Sequence, residues 1–373
     1  MEFIYNYAPA IKGQKELIAI NSAAKRLFDK LRSLKIKELD ISDYNKSRLE
    51  LRVGDLTKSL QLYSYILLLS FAKNDIPISK FVFLEYGGGA GLLSLLAKEL
   101  GIGIVIYNDI YNVSCCDAKH IAESIGNEAD FYVNGDIDDV LDLLSKSNIN
   151  CNAIASWDVI EHIYDIDSFL SKVSYLSNGP LTVVMSSGAN TFNPFIRRKL
   201  IKIQLRFEHK ERKKEWGHKE RDSFKSFFKA RREIIFKYLL ELDEKLTEEE
   251  IVQLTRNTRG MIEADIKKCV DNFMKTGRLP SEPSHPTNTC DPYTGNWCEH
   301  LMNQNDLASI LSKNGFKVRI LSGYYGSSKS IIKRCLGRFL NPAIYIFKKQ
   351  GIRIAPFYTV CGRRDLNYSE RFK

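Results

Sequence analysis

The chain has no apolar run long enough to cross a bilayer: its longest, from Tyr63 to Ala72, falls far short of the ~20 residues a spanning helix needs. The opening stretch MEFIYNYAPA lacks the basic-then-apolar layout of a secretory signal. Both absences lead to the expectation of a soluble, cytoplasmic protein. Cysteines stand at 115, 116, 151, 269, 290, 298, 335 and 361, without the regular spacing of a disulfide framework or paired CxxC knuckles, so all are expected to be reduced. No repeat period and no low-complexity tract stands out. What remains is a chain of 373 residues, 44% hydrophobic and 27% charged, which can bury a full core and is too long for one minimal domain. Disordered, collagen-like and mini-protein classes are excluded.

The net charge of +10 is unevenly placed. Between Arg197 and Lys237 sixteen Lys/Arg face six Asp/Glu, and from Ser327 to Lys349 six more basic residues occur with no acid. The rest of the chain is mildly acidic, so these two elements, rather than the whole surface, are the ones expected to meet an anionic partner.

The first eighty residues read as helices, with Leu56 to Phe71 carrying apolar residues at helical spacing. From Phe81 short apolar runs alternate with amphipathic stretches. Strands are expected at 81–86, 103–108, 130–134, 151–157 and 180–186, with helices beginning near 90, 115, 137 and 165. Such alternation predicts a parallel sheet with helices on both faces, because parallel strands need crossover connections. After Ser187 the alternation gives way to about a hundred charged, mostly helical residues, and the Pro-, Ser- and Thr-rich stretch 279–296 predicts an irregular loop. A helix at 304–314, a strand at 316–325 and a last strand near 352–361 then complete the sheet.

The sharpest local signal is LEYGGGAGLLSLLAKELG, in which Glu85 closes an apolar strand and Gly87, Gly89 and Gly91 precede a helix. A chain turning from strand to helix so quickly needs positive φ angles, and it needs bare backbone where a ligand sits against the amides. A nicotinamide fingerprint would require Gly or Ala three positions after Gly89, where Leu92 stands. The second strand ends in Asp109, placed to accept ribose hydroxyl protons. The third ends in Asp136 and the fourth is AIASWDVIEHIYD. The glycines can also be a tight turn alone, Asp109 and Asp136 can also be helix N-caps, and Trp157 and Val159 can also be core residues.

In these four motifs, in this order, the chain resembles the class I S-adenosylmethionine-dependent methyltransferases over roughly residues 80–190 and again over 297–362. The resemblance implies a Rossmann-like α/β fold, a seven-stranded mostly parallel sheet with an N-terminal helical cap (1–79) and a helical insertion after strand five. It implies a cofactor-binding core at 80–190, a basic insertion at 191–296 serving as lid or partner contact, and completion of the sheet by 297–373. S-adenosyl-L-methionine is the implied cofactor. Its implied contacts are Glu85, Gly87, Gly89, Gly91, Asp109 and Ile110, then Asp136 beside the adenine with Ile137 against the ring, and Trp157 and Asp158 along the methionine moiety.

The run Asp158, Glu161, His162 is similar to the carboxylate and EH pattern of ubiquinone-biosynthesis O-methyltransferases, where such groups can hold a divalent metal. The alternative is that Glu161 and His162 start the helix after strand four, with His162 as a proton acceptor. The cluster CDPYTGNWCEHLM at 290–302 predicts a turn from Asp291 to Gly295, with Trp297, Glu299 and His300 in an acceptor pocket. His285, Cys290, Cys298 and His300 fit no standard zinc spacing, and no metal site is expected. The expected catalytic set is His162 or His300 as base, with Glu161 and Tyr324 as orienting partners. The order of motifs in 290–316 resembles bacterial methyltransferases of surface-polysaccharide or related small-molecule tailoring.

No Asn/Asp-Pro-Pro-aromatic tetrapeptide of DNA and RNA amino-methyltransferases follows strand four, where the chain reads SWDV, and no Pro-Cys nucleophile appears there. The expected activity is O-methylation of a sugar or other small molecule, carried on a lipid or nucleotide. An RNA methyltransferase using the run 197–237 is the first alternative, and a non-catalytic module that keeps the fold is the second. The segment 327–349 either lies at a membrane surface or covers the edge of the sheet.

Overall fold

The computed structural model describes residues 3, 14–71, 75–211, 224–327 and 331–365, so parts of both basic elements, 212–223 and 328–330, lie outside the described residues. The chain divides into two compact units. The first holds the described residues up to Ile160, then Ile166–Asn193, and those from Asn303 on; the second holds Glu161–Asp165 and Pro194–Met302.

In the first unit seven strands form one sheet: β1 (Val82–Tyr86), β2 (Ile104–Asp109), β3 (Phe131–Asn134), β4 (Ala153–Trp157), β5 (Leu181–Ser187), β6 (Lys317–Ser322) and β7 (Tyr358–Arg364). Their order is β3-β2-β1-β4-β5-β7-β6. The first five run parallel, and β7 lies antiparallel to both β5 and β6. This is the seven-stranded, mostly parallel Rossmann-like arrangement expected from the sequence. The order reverses between β1 and β4, so the connections leaving the carboxyl ends of these two neighbouring strands part to form a crevice of the kind that takes ligands in open α/β sheets.

Three helices precede the sheet: α1 (Gln14–Ser33), α2 (Asp43–Gly54) and α3 (Leu56–Phe71). Nearly every residue of α3 is buried, because it lies on β4 and β5 with α1 packed on its other side. That double cover is why its sequence is apolar almost all round. The crossover helices are α4 (Leu92–Leu100), α5 (Asn112–Ile125), α6 (Ile137–Ser147) and α7 (Ile166–Val173). They also anchor the cap: Arg26 and Lys30 of α1 meet Glu99 of α4 at 2.6 and 2.8 Å, and buried Asp117 of α5 accepts from Asn45 at 2.7 Å at the start of α2.

Two strand boundaries differ from expectation. The strand expected over 316–325 stops at Ser322, where the Gly323 amide turns to the Phe357 carbonyl (2.8 Å) and the Phe357 ring occupies the space a Cβ would need. The last strand is 358–364, not 352–361. Residues 348–353 form a 3-10 turn in which Gly351 packs against the backbone of Ile344, and Pro356 cannot donate to a ladder.

The second unit contains α8 (Pro194–His209), α9 (Phe227–Glu241), α10 (Glu248–Asn257) and α11 (Glu263–Thr276). Its core is Ile234, Ile235, Leu254, Ile266, Val270 and neighbours. Arg231 and Glu208 form an ion pair inside it, supported by Thr289 Oγ1 on the carboxylate (2.6 Å) and the Thr255 carbonyl on Arg231 Nε (3.2 Å). The stretch 279–296 is irregular, as expected, with the turn at Asp291 closed by Gly295 N to Asp291 O (2.8 Å). Back in the first unit, α12 (Gln304–Lys313) leads into β6, and α13 (Ile331–Phe347) stands between β6 and β7.

Candidate active site

At the carboxyl end of β1, Glu85 is buried and accepts the Ser94 amide of α4 at 2.8 Å. Burial nevertheless pushes its carboxyl up to about 7. Glu85 therefore braces the first turn of α4 from within. The glycines above it have distinct surroundings. A Cβ on Gly87 would meet Val159 at 2.6 Å, whereas one on Gly89, at φ +54°, would meet nothing within 4 Å. Gly87 is bare because the protein needs the room; Gly89 is bare against open space. Tyr107 of β2 fixes this turn by donating to the Gly89 carbonyl (2.6 Å).

Asp109, at the carboxyl end of β2, is buried and reaches the same turn. One carboxylate oxygen accepts from Gly89 N and the other from Tyr111 N, both at 2.9 Å. Next to it Ile110 is 40% exposed, while Ile137 is only 4% exposed inside α6. Ile137, expected against the ring, is thus buried, and Ile110 is the one of the two that offers surface. Asp136 is the N-cap of α6, accepting from Asp138 N at 2.8 Å while Asp139 accepts from Asp136 N at 2.8 Å. The capping alternative is therefore realised.

At the end of β4, Trp157 packs edge-on against Phe357 (5.2 Å), and its buried indole N–H has no hydrogen-bond partner. Asp158 adopts a left-handed φ of 53° and accepts from the Gly188 amide at 2.7 Å, tying the β4 turn to the end of β5. Sequence reasoning missed Arg52 of α2. Tyr63 first, and then the Asp158 carboxylate, hold its guanidinium above the ordinary arginine range against burial. Nothing in the local sequence marks this cap residue as one whose charge Asp158 favours.

In the second unit, residues 161–164 pair with 297–300. His300 N donates to Glu161 O (3.0 Å), Trp297 N to His162 O (3.2 Å) and Trp297 Nε1 to Tyr164 O (3.2 Å). The Tyr164 and Trp297 rings stack at 5.9 Å, and Trp297 and His300 at 4.1 Å. His162 Nδ1 lies 2.8 Å from the Trp297 carbonyl. A carbonyl only accepts, so Nδ1 carries the proton and Nε2 keeps the lone pair. His300 differs: burial, with His285 nearby, pushes it down to about 4, and its Nδ1 is buried without a partner.

Glu161, His162 and His300 thus lie on two segments that pair with each other. Tyr324 belongs to the first unit, where it is buried, donates to the Gln61 carbonyl at 2.9 Å and packs against Tyr65 and Phe357. Among the described residues no three His, Cys, Asp or Glu gather as a metal site.

The insertion also holds a cavity of about 700 Å³, bordered by Glu208, Phe228, Arg256, Arg259 and Glu282 among others. Arg259 donates from Nη2 to the His285 carbonyl at 3.0 Å, but its buried Nε has no partner. Elsewhere in the insertion several cations are neutralised, Lys229 by Glu211 and Arg232 by Glu248.

No protein-family model matches the chain. Two curated sequences match short stretches: UvrABC system protein B of Aster yellows witches'-broom phytoplasma, 31% identical over 75 residues and 20% of this chain, and that of Onion yellows phytoplasma, 30% identical over 79 residues and 21%. The chain spans 11% and 12% of the length of these relatives. Among solved structures, an S-adenosylmethionine-dependent methyltransferase described as putative, from Listeria monocytogenes, is similar over 78% of this chain and 93% of its own, with 12% identity and a TM-score of 0.38. The magnesium protoporphyrin IX methyltransferase of Synechocystis PCC 6803 with bound SAH is similar over 93% of this chain and 99% of its own, with 12% identity and a TM-score of 0.37.

Proposed function

We propose that the protein is an S-adenosylmethionine-dependent methyltransferase acting on the hydroxyl of a small, phosphate-bearing acceptor such as a carrier-linked sugar. The observation that carries this reading is the contact between Gly89 and Asp109: a buried carboxylate fixed beside a glycine whose missing Cβ leaves open space. That chemistry suits a ribose. A nucleoside-bearing ligand would bring hydroxyls to the Asp109 side and one ring face to exposed Ile110. Arg52, whose charge Tyr63 and the Asp158 carboxylate favour, is the cation assigned to the donor's carboxylate.

S-adenosylmethionine supplies an electrophilic sulfonium methyl. The residues of the chain then have two tasks: to hold donor and acceptor in line, and to receive the proton of the acceptor hydroxyl. His162 is assigned the second task, because the Trp297 carbonyl orients its ring and leaves Nε2 basic. His300, held neutral down to about pH 4, is too weak a base for that step at neutral pH and belongs to the aromatic stack. In the cavity, whose wall also carries Glu208 and Glu282, Arg256 and Arg259 are the groups assigned to an acceptor's phosphate. Salt bridges on part of the basic run count against an extended RNA track, for which rows of uncommitted cations are needed.

The test is calorimetric titration with S-adenosylmethionine, for the native chain and Gly89→Arg, followed by release of S-adenosylhomocysteine with nucleotide sugars, lipid-linked saccharides and total RNA. Binding abolished by Gly89→Arg and turnover on a saccharide support the reading. Absence of donor binding by the native chain would remove it. Turnover confined to RNA, falling steeply with salt, would replace the acceptor.

A further inference from the structure

We propose that α13 docks the protein on the surface of an anionic lipid bilayer, lying in the headgroup region without crossing it. The helix is amphipathic with its outer side apolar, the reverse of an ordinary surface helix. Gly337, Asn341 and Ile344, spaced at successive helical turns, are buried. Asn341 clamps this side to the unit beneath it: its Oδ1 accepts the Tyr325 amide at 2.8 Å and its Nδ2 donates to the Tyr325 carbonyl at 2.9 Å. Gly337 is needed where a Cβ would come within 3.1 Å of Tyr325 Cβ. The orientation of the helix is therefore fixed by its inner face.

The opposite face carries Leu336, Phe339, Ile346 and Phe347, at spacings that place them on one stripe, and they are 49%, 79%, 69% and 60% exposed. Aromatic and branched side chains grouped on a soluble surface mark a site of contact. The charges around the stripe identify its occupant. Arg334, Arg338, Lys348, Lys349 and Arg353 are exposed, and no Asp or Glu occurs between Ser327 and Arg364. A second copy of the same face would set these cations against their like. A bilayer with anionic headgroups satisfies both features, taking the stripe among its acyl chains and the cations at its phosphates. Among the described residues no helix is long and apolar enough to cross a membrane, so this contact is peripheral.

This inference does not rest on methyl transfer, and its readout is binding alone. The full chain would be floated with vesicles of pure phosphatidylcholine and with vesicles containing phosphatidylglycerol, beside the double variants Phe339→Ser/Ile346→Ser and Arg334→Glu/Arg338→Glu. Both pairs lie on the exposed side, and far-ultraviolet circular dichroism checks that each variant is folded. The expected result is flotation with the anionic vesicles only, weakened about tenfold or more by either double variant and reduced by salt. Failure to float, or flotation that neither variant changes, would overturn it. So would a dimer in sedimentation velocity that Phe339→Ser/Ile346→Ser converts to monomer without any vesicle binding, since the stripe would then belong to a second copy.

Discussion

The Gly89 amide donates to the Asp109 carboxylate at 2.9 Å, joining the turn after β1 to the end of β2. A single hydrogen bond thereby couples the glycine that gives access to the crevice and the acid that would read a ribose.

Gly87→Ala and Gly89→Ala should separate folding from binding. A Cβ at 87 collides with Val159, and the expected loss is about 1–3 kcal/mol from overpacking, besides the strain of its positive φ. A Cβ at 89 meets open space, so only the backbone strain, about 1 kcal/mol, is felt in folding, while donor affinity falls. Urea denaturation and calorimetric titration measure the two effects. Equal losses of affinity at equal losses of stability would remove the distinction.

Glu85 gives the fold a pH dependence. Its carboxyl is raised in the folded state from 4.5 to about 7. The stability it contributes is complete below pH 4.5 and is lost as the pH rises towards 7, by about 3 kcal/mol, because only the unfolded chain ionises freely over that window. Glu85→Gln should flatten this part of the stability profile measured in urea between pH 4.5 and 7.

The two histidines should behave differently. Once an acceptor is identified, His162→Gln should lower kcat by about 10²–10⁴. His300→Gln should leave kcat nearly unchanged. Because His300 is lowered to about 4 in the folded state, it stabilises the second unit above pH 6.5, and this contribution is lost as the pH falls towards 4. Thermal melts across that range, with and without His300→Gln, measure the effect.

Arg231→Met should destabilise the second unit by about 3–5 kcal/mol, since it leaves buried Glu208 without its cation. Burial alone would raise the Glu208 carboxyl, but Arg231 holds it below the ordinary range. The double variant Arg231→Met/Glu208→Leu should recover most of the loss in a denaturant titration.

The sequence by itself determined the sheet. Apolar runs and crossover patterns located the strands, the last of them several residues early, because they are written in short-range spacing that the backbone must obey. Leu56 to Phe71 was legible as a helix for the same reason. Tertiary structure alone decided which candidates do what. Tyr324 is a core residue because the cap supplies the Gln61 carbonyl, and Asp136 is a helix cap because Asp139 answers it one turn on. His162 and His300 look equivalent as letters, yet a carbonyl on Trp297 orients one and burial weakens the other. The Asp158 carboxylate acts on the charge of Arg52, a residue of a helix whose sequence carries no mark of the crevice. Hydrogen-bond partners and burial depend on residues far apart in the chain, and no local pattern encodes them.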